Sequence, residues 1–406
     1  MRKRRSFKYY NRQVHLWLGL ASGLVVFIVS ITGCLFVFQQ EISKAIHPEW
    51  FYTGTAPKAG SAVLPLSRLE HIAQTVLGAD KPINNIVTYR DPKRSWEFMV
   101  YKDNDSAITI FGSMVYFQSV FLDPYTGKVA GARDYKYDFF NIVKYIHWSL
   151  LLNTRYGQPI VGWGTAIFVL LLLTGLILWW PKKWTKKNRD IAFKIQWKAS
   201  FRRVNYDLHN VPGFYSLIPA IVLGCTGLVM AFPWFTAFVY VVTTGSPTPP
   251  RAPVVHSVVP DSATIRLVDA PAALDKAFVR SLELFPNSPR IAINPAGDTA
   301  GALVFTGYRD DETYYGYDVL QFDQYDGRLL LYQKNAAKNA GQKLMDMNYD
   351  IHVGAIGGLT GKIIAFFISL ICASLPVTGF LVWWLTRKKQ HNKSDKNITA
   401  HGIIIA

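Results

Sequence analysis

Four stretches of the chain carry no Asp, Glu, Lys or Arg: Gln13–Gln40, Tyr156–Pro181, Leu208–Pro250 and Ile363–Thr386. Each holds at least about 20 mostly apolar residues, enough for a helix to cross a hydrocarbon core of roughly 30 Å. The pattern changes period in the two long loops between them. SWEFMVY (95–101), MVYFQSVFLD (114–123), GALVFTGY (301–308) and YGYDVLQFD (315–323) alternate along the chain and are rich in aromatic and β-branched residues. That predicts antiparallel strands. Leu66–Leu77 and Pro271–Leu284 carry helical spacing, one amphipathic helix per loop. Asp123–Lys128 and Asp323–Arg328 read as hairpin turns. The expected architecture is membrane α-helical: four transmembrane helices in a bundle, with two external α+β domains.

Charge fixes the orientation. The 406 residues are 50% hydrophobic and 17% charged, with a formal charge of +17. Soluble domains are nearer a quarter charged, so disorder and an ordinary cytosolic enzyme are both excluded. The tail 1–12 has six Lys/Arg and no acid, the loop 181–208 has nine against Asp190 and Asp207, and the tail 385–406 has five against Asp395. These segments hold the whole excess, and four spans place all three on one side. That side is the cytoplasm by the positive-inside rule. A nucleic-acid partner is not needed to explain the charge. The expected layout is a basic tail (1–12), a first span (13–40), an external domain (41–140), and an interface segment with the second span (141–181). A basic loop (182–207), third span (208–244), second external domain (245–348), interface segment with fourth span (349–386) and cytoplasmic tail (387–406) follow. The first span is too long for a cleaved leader and reads as a retained anchor. Cys34, Cys225 and Cys372 are scattered among the spans and read as apolar packing residues.

The unit of span, external domain, span occurs twice, an internal duplication. His15 precedes Thr32-Gly33 by 17 residues, and His209 precedes Thr226-Gly227 by the same step. His147 precedes Thr174-Gly175 by 27, and His352 precedes Thr378-Gly379 by 26. Trp179-Trp180 and Trp383-Trp384 follow four residues after their glycines, where interfacial anchoring explains them.

The duplication singles out four of the nine histidines. His15, His147, His209 and His352 each stand where a span meets the membrane, and ionisable groups at that depth are costly and mark function. Spans 1 and 3 run outward and spans 2 and 4 run back. His15 and His209 therefore share an inner layer, and His147 and His352 an outer one. Two imidazoles from facing helices are what a six-coordinate b-type haem requires, so the spacing predicts two haems. Gly19 and Gly23 follow His15 on its own helix face, and Gly213 follows His209, leaving room for a flat macrocycle. Close helix packing is the other reading of the same glycines. Zinc would want three or four ligands per site, and a proton relay would use intramembrane carboxylates, which these spans lack.

The chain resembles the PepSY-associated transmembrane family. The resemblance rests on His15-Leu-Trp-Leu-Gly19 with Thr32-Gly33, and on Asp207-Leu-His209 with Gly213 and Thr226-Gly227. It continues through Ile146-His147, Thr174-Gly175 and Trp179-Trp180-Pro181, and through Ile351-His352, Thr378-Gly379 and Trp383-Trp384. Asp123-Pro-Tyr-Thr-Gly127 looks like the strand-turn signature of PepSY domains, and Asp323-Gln-Tyr-Asp-Gly327 is a weaker second copy. The resemblance implies a ferric-siderophore reductase of the bacterial inner membrane, with PepSY-like loops in the periplasm. Electrons would pass from quinol or a cytoplasmic reductase, through haems held by His15/His209 and His147/His352, to a ferric siderophore, releasing Fe(II). No catalytic acid or base is expected. Three rivals stand beside it. One is a haem carrier serving quinone or a partner cytochrome; another is a colourless PepSY-type binding protein; the third is a transporter, which would want broken helices or intramembrane carboxylates, and the sequence shows neither.

Overall fold

The computed structural model describes residues 6–54, 60–247, 253, 255–258 and 269–402, with the side chains of 269–270 and 388–402 excepted. The first five residues of the basic tail and the last four of the 387–406 tail lie outside the described residues.

The chain opens on a 30-residue helix, α1 (Phe7–Phe36), then two short helices, α2 (Gln39–Ile46) and α3 (Pro48–Phe51), and the amphipathic α4 (Leu66–Leu77). Strands β1 (Asn85–Tyr89) and β2 (Trp96–Asp103), a turn of helix α5 (Ile110–Ser113), and strands β3 (Met114–Leu122) and β4 (Val129–Asp134) complete the first external segment. Helices α6 (Phe139–Ser149) and α7 (Thr154–Trp179) lead back through the bundle to α8 (Lys186–Phe193). The second half begins with α9 (Phe201–Tyr215), α10 (Leu217–Ala231) and α11 (Pro233–Thr244). Helix α12 (Asp269–Leu284) and strands β5 (Arg290–Asn294), β6 (Ala302–Tyr308), β7 (Asp318–Asp323) and β8 (Leu329–Gln333) follow. The chain returns through α13 (Ala340–His352) and α14 (Gly358–Gly402).

Helix α1, helix α7 and the stretch Ala355–Arg387 are each long and apolar enough to cross a membrane. Helices α9 and α10 make a fourth span if the bent pair counts as one. Their outward faces are apolar, with Trp17, Leu24, Leu170, Ile218 and Phe367 all exposed. A helix that shows apolar side chains on its outside is a helix whose solvent is lipid. The chain is a multi-pass membrane protein. The single third span expected over 208–244 is corrected: it is three helices. α9 and α10 meet at 68° around Ser216, and a new helix starts at Pro233. Proline supplies the reason. Pro219 has no N–H for the carbonyl of Tyr215, and Pro233 fits only the first turn of a helix.

The two external segments do not form separate sheets. They share one eight-stranded antiparallel sheet in the order β4-β3-β2-β1-β5-β6-β7-β8. β1 and β5 join the halves, with Ile86 opposite Ile293 and Tyr89 opposite Arg290. Pairing β1 with β5 removes two of the unpaired edges that separate sheets would expose. Alternation then sets the core. Trp96, Phe98 and Val100 of β2 and Leu303 and Phe305 of β6 point to one face, where Leu66, Leu69 and Ala73 of α4 meet Ala277 and Phe278 of α12. The two predicted turns are present. Asp123 and Asp323 each accept the backbone N–H two residues on, at 2.8 Å, and Gly127 and Gly327 take φ of +73° and +69°. Only glycine holds that left-handed geometry without strain.

Candidate functional site

Each of the four singled-out histidines is gripped by the Thr-Gly step of another helix. His15 on α1 meets Thr174 on α7, with Nδ1 2.9 Å from Oγ1. His209 on α9 meets Thr378 on α14 at 3.0 Å. His352 on α13 meets Thr226 on α10 at 2.9 Å, and His147 on α6 meets Thr32 on α1 at 3.3 Å. The neighbouring glycine makes room for the ring. A Cβ on Gly175, Gly379, Gly227 or Gly33 would lie 3.1–3.4 Å from the Cε1 of the gripped histidine.

Proton accounting sets the tautomer. Each threonine hydroxyl donates its own proton up its helix: Thr174 to the Leu171 carbonyl at 3.1 Å, Thr378 to Ser374 at 2.8 Å, Thr226 to Val222 at 2.8 Å and Thr32 to Ile28 at 2.7 Å. The hydroxyl oxygen then accepts from Nδ1–H, so the proton is assigned to Nδ1 from this network. Nε2 keeps its lone pair. A metal-ligating histidine is fixed in the same way, with its other ring nitrogen donating to an oxygen of the protein.

The rings come together in the two predicted pairs. The centroids of His15 and His209 are 6.3 Å apart, and those of His147 and His352 are 5.9 Å apart. An imidazole nitrogen bonds a first-row metal at about 2.0–2.1 Å, so two rings on opposite sides of one metal hold centroids about 6 Å apart. Among the described residues, no group of three or more His, Cys, Asp or Glu is placed to hold a bare ion. The donor set is thus two pairs of neutral imidazoles. Along α1, His15 of one pair and Thr32 of the other are 17 residues apart, about 26 Å at the rise of an α-helix.

The glycines divide by role. A Cβ on Gly19 would reach nothing closer than Leu171 Cδ2 at 3.9 Å, and one on Gly23 nothing closer than Pro376 at 3.5 Å. Both distances are ordinary van der Waals contacts, with α7 and α14 in turn, so the close-packing reading of these two glycines stands. Gly213 is tighter, 3.3 Å from Leu375. Gly157 is a packing glycine, its missing side chain filled by the Ser149 carbonyl, and Gly162 is filled by Phe232.

Sequence reasoning missed one part of the clasp. Asn11, Asn205 and Asn348 each stand four residues before a histidine. Each donates to the carbonyl of the threonine gripping it, at 3.0, 3.1 and 3.1 Å. The repeated Asn-x-x-x-His spacing was the available signal; Val143 takes that place before His147. The other histidines behave otherwise. His47 stacks on Trp50 at 3.8 Å beside Glu49, and the side chains of His391 and His401 lie outside the described residues. Arg203 is engaged by Asp207 at 3.0 Å, and Trp179 donates to the Ala192 carbonyl and stacks on Phe214.

No curated protein matches the chain. The family model for the PepSY-associated TM region matches residues 12–386, nearly the whole length, and the chain belongs to that family.

Proposed function

We propose that the protein is a di-haem oxidoreductase of a bacterial inner membrane, carrying electrons outward to a ferric siderophore in the periplasm and releasing Fe(II). The observation that carries this reading is the pair of histidine pairs, each ring with Nδ1 tied to a threonine and the two rings of a pair about 6 Å apart, so that both could hold one metal centre. The residues fit the group: four imidazoles in twos, with no cluster of three or more His, Cys, Asp or Glu among the described residues to favour a bare metal ion. A b-type haem at each pair supplies a one-electron Fe(III)/Fe(II) couple.

The chain does the rest. His15 and His209 hold the inner group, and His147 and His352 the outer one. The threonines orient the rings and raise their basicity as donors. Gly19 and Gly23 place no side chain of their own on the His15 face of α1, the feature a flat macrocycle would use. The apolar spans keep water from both layers. Basic segments at the Lys8 and Arg203 end put both termini in the cytoplasm and the sheet in the periplasm. The electron donor, quinol or a cytoplasmic reductase, is a separate molecule, since the 182–207 loop is too short for a nicotinamide or flavin domain. The four matched histidine clasps and the two matched turns support descent from a duplicated unit. Each half of the sheet is then one PepSY-like copy.

Protein reconstituted in liposomes, reduced from within and given an external ferric hydroxamate with an Fe(II)-trapping dye, tests this directly. Dye colour at a rate tied to the protein, lost in His352→Ala, supports the reading. Haem that oxidises with quinone but not with any ferric chelate would leave a haem carrier instead.

A further inference from the structure

The four clasps are not equal, and the loosest threonine contact is that of His147. Its Nδ1 is 3.3 Å from Thr32 Oγ1, whereas the other three histidines sit at 2.9–3.0 Å. Its nearer acceptor is the Val29 carbonyl at 2.8 Å, whereas His352 lies closer to its threonine than to the matching Leu223 carbonyl at 3.2 Å. It alone lacks the asparagine, because Val143 stands four residues before it. The helix that carries it also ends under strain. α6 closes on Leu150 and Leu151 at φ of +55° and +62°. α13, which carries His352, turns instead on Gly354 at φ +76°, where glycine is at ease. L-residues other than Asn, Asp and Gly avoid that region, and such strain persists only where surroundings hold it. Here the connection between β2 and β3 holds it: the Ile110 N–H donates to the Leu151 carbonyl at 2.9 Å, and the Asn153 N–H to the Ile108 carbonyl at 2.7 Å.

Resting on the di-haem reading, we propose that His147 is the exchangeable ligand of the outer pair, and that the outer centre opens there to a small neutral donor. The exchange moves no electron. The bond from His147 Nε2 to ferrous iron breaks, a bond from the incoming donor's lone pair forms, and His147 keeps its Nε2 lone pair and its Nδ1 proton. His352, held by Thr226, Asn348 and an unstrained turn, stays. The inner pair, with the full clasp on both sides, stays closed. The tie between the Leu150–Asn153 turn and the 108–110 loop lets the connection between β2 and β3 bear on this ligand.

Carbon monoxide is the probe. Full-length protein in detergent is reduced with dithionite, its haem counted as pyridine haemochrome, and carbon monoxide added. One of the two haems is expected to bind it, seen as a difference spectrum of half the full amplitude. Val143→Asn completes the fourth clasp and is expected to slow capture by about tenfold, in the range that outer partners of metal ligands command. Leu151→Gly relaxes the turn and is expected to slow it as well, which covers the case of a poorly folding Val143→Asn. Two haems per chain that both refuse carbon monoxide overturn the exchange and leave the di-haem reading intact. Capture at unchanged rate in both variants overturns the assignment to His147. Protein with no haem overturns the reading beneath both.

Discussion

Thr378→Val isolates the clasp from the ligand it holds. Thr378 Oγ1 accepts from His209 Nδ1 at 3.0 Å while donating to the Ser374 carbonyl at 2.8 Å. Valine keeps the shape and removes the acceptor, while Asn205 still grips the Thr378 backbone carbonyl at 3.1 Å. The His209 N–H then loses its hydroxyl acceptor and keeps only the Leu375 carbonyl nearby. A donor left so poorly paired costs about 1–3 kcal/mol. At about 1.4 kcal/mol per tenfold, that becomes roughly 5- to 150-fold in haem affinity. Outer partners of metal ligands elsewhere cost about 10–100-fold, which agrees. Haem titrated into apoprotein, followed by absorption, reads the loss at one of two sites. Thr378→Ser restores the hydroxyl and should restore most of the affinity. Thr32→Val should cost less, about 1 kcal/mol or below, because His147 already donates to the Val29 carbonyl at 2.8 Å. Wild-type affinity in Thr378→Val, or equal losses in the Val and Ser variants, would refute the clasp.

Further outcomes follow from the same geometry. His15→Ala and His209→Ala should each remove the same haem spectrally and spare the one that depends on His352; loss of different haems breaks the layer assignment. Glu70 on α4 has its carboxyl pushed up to about 7, chiefly by burial and further by the neighbouring Asp275 of α12. A raised folded pKa stabilises below the unfolded value near 4.5, and that stability drains away as pH rises through about 7. Wild-type protein should therefore lose about 2 kcal/mol relative to Glu70→Gln between pH 5 and pH 8, read by thermal unfolding. A parallel pH dependence in the two proteins denies the shift. Gly157→Ala drives a methyl into the Ser149 carbonyl where α7 crosses the end of α6. It should lower the melting temperature more than Gly19→Ala, whose methyl meets only Leu171 at 3.9 Å.

Much of this fold was readable because its signals are local. Runs free of charge mark the spans, and period-two runs mark β2, β3, β6 and β7. Apolar residues at helical spacing set α4 at Leu66–Leu77, as observed. Joining the halves through β1 and β5 was not readable, since two strands of five residues, about 200 positions apart, carry no mark of their partner. The break at Ser216 was written in Pro219 but hidden inside an unbroken apolar run. Pairing of the histidines followed from topology and repeat alone. Their Thr-Gly partners were visible as a repeated motif, but the motif shows no role until the chain folds. Each Thr-Gly step serves a histidine on another helix, as Thr32 serves His147 and Thr174 serves His15.

The central claim is that the two histidine pairs each hold a haem. An absorption spectrum of the purified full-length protein, oxidised and then dithionite-reduced, with the haem counted as pyridine haemochrome, tests it most directly. Two b-type haems per chain, with the sharp bands of six-coordinate iron in the oxidised protein, are the predicted result. A colourless protein that takes up no added haem would contradict it.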